Sequence, residues 1–183
     1  MGVRTVVLIA LPFALGLSTA ACDVPTRAPR AATDVVASAG AGCREGELEQ
    51  CVVACANGST ESCNEAGRAY ELGVGVGKSG MAANTYYRKA CDLGDATGCY
   101  NAGYLLENGL AGRRDIGCAL ALYRLACGAG HTQGCLSAGH IYREGAPEVP
   151  RDKAQAVEHF RKACDAGNTS GCQQVEKLES KAD

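Results

Sequence analysis

The chain has 183 residues, a formal net charge of −2, 5% aromatic residues and no tryptophan, so it lacks the basic field that draws nucleic acid or anionic membrane. Its 12 cysteines argue against a reduced cytosolic domain, because disulfides persist in oxidising spaces. The 24 glycines and an internal repetition argue for an elongated chain over one compact core.

In chain order, the first element is an export signal over residues 1–21. Arg4 supplies the positive start, Val6 to Leu17 an apolar run of 12 residues, and Ser18 to Ala21 a small-residue exit. That run is short for a membrane span. Thr19-Ala20-Ala21-Cys22 resembles the lipobox of bacterial lipoproteins, which implies lipid on Cys22 and a membrane anchor in the cell envelope. Thr19 stands where leucine is usual, so ordinary cleavage that leaves Cys22 a thiol is the alternative. Residues 22–42 then form a lipid-anchored flexible linker, rich in Ala, Pro, Thr and Gly, with a reach of about 25 Å.

From residue 43 to 183 one segment recurs: a cysteine, glycine three residues later, and a second cysteine eight residues after the first. The copies are Cys43/Cys51, Cys55/Cys63, Cys91/Cys99, Cys127/Cys135 and Cys164/Cys172. The first cysteines of the last four copies are 36, 36 and 37 residues apart, the mark of a repeat array. Eight residues of straight helix rise about 12 Å, too far for a disulfide, so each pair closes only if the chain turns between its cysteines. Glycine suits the left-handed end of one helix. Ser59, Asp95 or Asn168 just after it can cap the next helix, whereas Glu47 and His131 fill that place in the other two copies. Zinc sites pair cysteines two to four residues apart, so no metal is expected. Cys51 and Cys55 are the only close pair, and a bond between them competes with Cys43 to Cys51 and Cys55 to Cys63.

After each second cysteine, Ala66-Gly67-x-x-Tyr70, Ala102-Gly103-x-x-Leu106 and Ala138-Gly139-x-x-Tyr142 mark one face of a helix A. Glycine inside a helix costs about 1 kcal/mol against alanine, so its recurrence predicts close approach of a neighbouring helix. Before each first cysteine, Ala83/Tyr87/Ala90, Ala119/Tyr123/Ala126 and Ala156/Phe160/Ala163 mark a core stripe on a helix B. The reading is all-α: an α/α solenoid of antiparallel helix pairs with a 36-residue period, each unit stapled by a Cys-x7-Cys disulfide. Residues 43–63 are a truncated N-terminal cap, 64–99, 100–135 and 136–172 the repeats, and 173–183 a terminal helix with Val175, Glu176 and Glu179 toward solvent.

Tyr86 to Cys99 and Phe160 to Gly167 resemble the signature of the cysteine-rich branch of the Sel-one-like repeats, relatives of the tetratricopeptide repeats. The resemblance covers Cys55 to Cys172 well and Cys43 to Cys55 partly. It implies a solenoid whose concave face binds a partner protein or peptide. Some bacterial members carry the names of penicillin-binding proteins or β-lactamases, and a mitochondrial member is an assembly factor for cytochrome c oxidase. A β-lactam-binding or hydrolysing activity and a redox or assembly role therefore stand as alternatives.

Catalytic patterns are sparse. Gly73-x-Gly75-x-Gly77-Lys78-Ser79 approaches a phosphate loop, but Leu72 stands where a glycine is required and a helix precedes it in place of a strand. No Ser-x-x-Lys, Gly-x-Ser-x-Gly or His-Glu-x-x-His occurs. His131, His140 and His159 hold different repeat positions, and the sequons at Asn57 and Asn168 fall inside the cysteine turns. No catalytic residue and no cofactor is assigned. With ten cysteines in the repeat and Cys22 in the anchor, Cys118 is left as a possible free thiol and the only handle for redox work. The favoured function is a lipid-anchored envelope scaffold that binds a protein or peptide on the concave helix-A face.

Overall fold

The computed structural model describes Cys22 and residues 48–180. The signal, the linker beyond Cys22, and Cys43 with its glycine lie outside the described residues. Eight helices follow in order: α1 (Leu48–Ala56), α2 (Thr60–Leu72), α3 (Gly80–Asp92), α4 (Ala96–Glu107), α5 (Ile116–Gly128), α6 (Thr132–Glu144), α7 (Lys153–Asp165) and α8 (Thr169–Glu179). Each packs on the next, and α2 also touches α4, the contact pattern of stacked helix hairpins. The A helices are α2, α4 and α6, the B helices α3, α5 and α7. No helix among the described residues is long and apolar enough to cross a membrane.

The turns α1–α2, α3–α4, α5–α6 and α7–α8 are built alike. Gly58, Gly94, Gly130 and Gly167 have φ between 85° and 97°, the left-handed region that a side chain would strain. The next residue's amide then reaches back five residues, as in Asp95 to Ala90 and His131 to Ala126, both 2.9 Å. That residue also caps the following helix. Ser59, Asp95 and Asn168 do so as the sequence suggests, and His131 does it too, its Nδ1 accepting from the Gly134 amide at 3.2 Å. The cap therefore holds in all four described turns, one more than oxygen-bearing side chains alone predict. At the starts of the B helices Ser79 plays the part of Asp115 and Asp152, so the loop that lacks an acid still has its cap.

The turns bring the paired cysteines together. Cys55–Cys63, Cys91–Cys99, Cys127–Cys135 and Cys164–Cys172 are disulfides with Cα atoms 4.5 to 4.7 Å apart. Cys51 and Cys55 lie on one continuous helix, and Cys55 bonds to Cys63, which removes the competing Cys51–Cys55 pairing. Cys51 is itself disulfide-bonded.

The core follows from small residues on A meeting large ones on B. A Cβ on Gly67, Gly103 or Gly139 would stand 2.7 to 2.9 Å from the ring of Tyr87, Tyr123 or Phe160. Those three rings are the largest fully buried side chains among the described residues. The neighbour that the interior glycines accommodate is thus an aromatic ring of the same repeat. A second set of glycines, Gly98, Gly134 and Gly171, lets each following helix sit on the backbone of the helix before it: a Cβ added there would stand 2.8 to 3.1 Å from the carbonyl oxygens of Tyr87, Tyr123 and Phe160. On α8 only Gly171 is buried, Glu176 and Glu179 face out, and Val175 with Leu178 packs against the last core cluster.

Candidate functional site

On each A helix the residues one, five and eight places after the cysteine share a stripe, since positions four and seven apart are neighbours on a helix surface. The stripe reads Asn64, Arg68, Glu71 on α2; Tyr100, Tyr104, Glu107 on α4; and Leu136, His140, Arg143 on α6. Neighbouring stripes are joined by side chains that reach the next helix start. Asn64 Nδ2 donates to the Asp95 carboxylate at 2.8 Å, and Tyr100 stacks on His131 with ring centroids 4.7 Å apart. From α6, Arg143 Nη1 donates to the Gln174 amide oxygen at 2.5 Å.

The buried tyrosines of the B helices send their hydroxyls out to this stripe. Tyr87 donates to Glu71 at 2.7 Å and Tyr123 to Glu107 at 2.6 Å. Burial first, and then the carboxylate that accepts its proton, hold each phenol far above its ordinary pKa. In the third repeat both partners change together. Phe160 has no hydroxyl, and the place of the glutamate is taken by Arg143, whose guanidinium carbon lies 6.0 Å from the Phe160 ring centroid. The last position of the stripe therefore changes from a carboxylate at Glu71 and Glu107 to a guanidinium at Arg143. Tyr104, in its middle, is 42% exposed.

The histidines serve packing. His131 caps α6 and stacks on Tyr100, His140 meets Phe160 edge-on at 5.0 Å, and His159 stacks on Tyr142 at 5.6 Å. Burial lowers the pKa of all three, with Arg143 adding to the effect at His140 and Lys162 at His159. The glycine-rich Gly73 to Ser79 is an ordinary helix connection, in which Gly73 ends α2 at φ 80° and Ser79 starts α3.

Cys118, the cysteine outside the repeat, is paired with Cys22 in a disulfide. The pair joins the sulfur that the lipobox resemblance assigns to lipid with the thiol that the redox alternative invokes. The described group of metal-ligating types, Cys22, Asp115 and Cys118, has both its sulfurs in this bond.

Three consecutive stretches, 60–95, 96–131 and 132–168, match the Sel1 repeat, and each holds one A helix and one B helix. The chain belongs to the Sel1 repeat family. No curated protein matches it. Among solved structures it is similar to c5321, a protective antigen of uropathogenic Escherichia coli with an SLR fold, at TM-score 0.66 and 21% identity over 74% of this chain and 29% of that one. A Sel1 repeat protein of Oxalobacter formigenes gives TM-score 0.65 and 24% identity over 72% of this chain and 54% of that one. The cysteine rich protein B of Helicobacter pylori gives TM-score 0.54 and 29% identity over 69% of this chain and 90% of that one. The chain thus spans about a third and about half the length of the first two. The Sel1 match and the several disulfides point to an extracytoplasmic repeat protein.

Two features of the site escape a reading by motif. Glu71/Tyr87 and Glu107/Tyr123 are both 16 residues apart, a recurrence that could have flagged the pairs. The Gly-Cys dipeptides at 98, 134 and 171 are equally regular.

Proposed function

We propose that the protein is an exported scaffold that binds a protein or peptide along the stripe of α2, α4 and α6, taken as the concave face of the solenoid. Sel1 repeat proteins in general bind other proteins. The observation that supports this face is Tyr104, an exposed aromatic placed in register between Arg68 and His140 and bordered by Glu71 and Glu107. Such a stripe combines an exposed tyrosine with arginines, residue types enriched at partner-binding surfaces. Its carboxylates are held in place by buried phenols, so little side-chain entropy remains to be lost on binding.

The test is site-specific photo-crosslinking in the producing cell. A photo-reactive residue at Tyr104 should give a discrete protein adduct that disappears when Arg68 and Arg143 are replaced by alanine. The same group at Arg161, exposed on α7, should give none. Equal adducts from both places would refute the assignment of the face.

A further inference from the structure

Cys118 has no counterpart in the repeat. The residues at its place in the other B helices, nine before the first cysteine of the turn, are Ala82 and Gln155. It sits in the first turn of α5, where its amide donates to Oδ1 of the capping Asp115 at 2.8 Å. The residue is 8% exposed, and its Cα lies 5.4 Å from that of Cys22, to which it is bonded. The Asp115 carboxylate lies within 4.8 Å of both sulfurs. Burial and a neighbouring carboxylate each disfavour a thiolate, the species that opens a disulfide by exchange and that reduction leaves behind. The positive field of the helix start, which would favour a thiolate, is already answered by Asp115.

We propose that the bond to Cys118 is the mature state of Cys22: a covalent staple that fixes the residue after the signal to the second repeat, in place of a lipid anchor. Cys22 has one sulfur, so a thioether to a diacylglyceryl group and a disulfide to Cys118 exclude each other. Closing the bond joins two thiols with loss of two protons and two electrons, taken up by a disulfide-bearing oxidant that leaves as a dithiol. This assignment rests on export but not on the binding face, and either can fail alone.

The experiment is a non-reducing peptide map of the full chain expressed with its own signal and alkylated before lysis. Trypsin cuts after Arg27, Arg114 and Arg124. The expected result is one linked species joining the peptide that carries Cys22 to Asp115–Arg124, split by reductant, with no alkylation of either cysteine. In Cys118→Ser, where Ala82 shows that the fold needs no sulfur at this place, Cys22 should become alkylated while the repeat disulfides persist. A Cys22 peptide carrying diacylglyceryl beside an alkylated Cys118 would overturn the proposal, as would alkylation of both cysteines in the unsubstituted chain.

Discussion

The α-carbon of Gly103 lies so close to the Tyr123 ring that a Cβ there would stand 2.9 Å from Cε1 and 3.0 Å from Cδ1. Tyr123 is fully buried and its hydroxyl is held by Glu107, so the ring has nowhere to retreat. On an exposed helix Gly→Ala stabilises by about 1 kcal/mol. Here Gly103→Ala should instead destabilise by about 1–3 kcal/mol through overpacking, read as a lower urea midpoint of the oxidised protein. A gain in stability would show that the contact is looser than the structure has it.

Tyr123→Phe tests the hydroxyl alone. Removing it strips the Glu107 carboxylate of a 2.6 Å partner without changing ring volume, and should cost about 1–2 kcal/mol. Phe160→Tyr should bring no matching gain, because Arg143 and not a carboxylate faces that ring. Since both phenols are raised in the folded state, Tyr87 and Tyr123 add stability that is complete below pH 10 and is lost as the pH rises beyond it. Ultraviolet titration should therefore show their ionisation coinciding with alkaline unfolding.

Acid should weaken the protein in two stages. His131, His140 and His159 have folded pKa values below the ordinary 6.5, so the unfolded chain binds more protons and stability falls as the pH drops through 6.5 toward the folded values. Glu148 is lowered in the folded state by hydrogen bonds to its own amide and to the amides of Gly117 and Ile116. Its contribution stays intact above 4.5 and is lost below that. His131→Asn keeps a capping acceptor that does not protonate, so thermal melts of this variant should fall less between pH 7.5 and pH 5.

Removing one staple measures what a turn owes to its sulfur. Cys91→Ala with Cys99→Ala should lower stability by about 2.5 kcal/mol by the chain-entropy estimate for a loop of this length. The Gly94 turn and the Asp95 cap remain, so the far-ultraviolet helix signal should survive. Loss of that signal would mean that the disulfide, and not the turn, sets the helix boundary.

How far the sequence carries depends on repetition. The four described Cys-x7-Cys bonds, the turn glycines and the small-against-aromatic packing each occur three or four times, and recurrence separates a constraint from an accident. His131 hides its part because a ring nitrogen replaces an oxygen in the same capping role. The partner of Cys118 was illegible for the opposite reason: it occurs once, and the two cysteines are 96 residues apart. The Glu–Tyr pairs were in plain view as a 16-residue recurrence, hidden because each half has an ordinary explanation on its own helix.

The loop from Gly145 to Asp152 is one residue longer than its counterpart from Gly109 to Asp115, and it carries Glu148 to the start of α5. There Oε1 accepts from the amides of Ile116 and Gly117 at 3.0 and 3.3 Å, while Val149 is buried beneath. A helix of the second repeat is thus finished by a residue of the third. A chain cut after Glu144 would keep α6 yet leave two amides at the start of α5 without that acceptor. The array has a direction: its middle is completed from downstream, and shortening it from the C-terminal side should loosen a unit that the cut never touched.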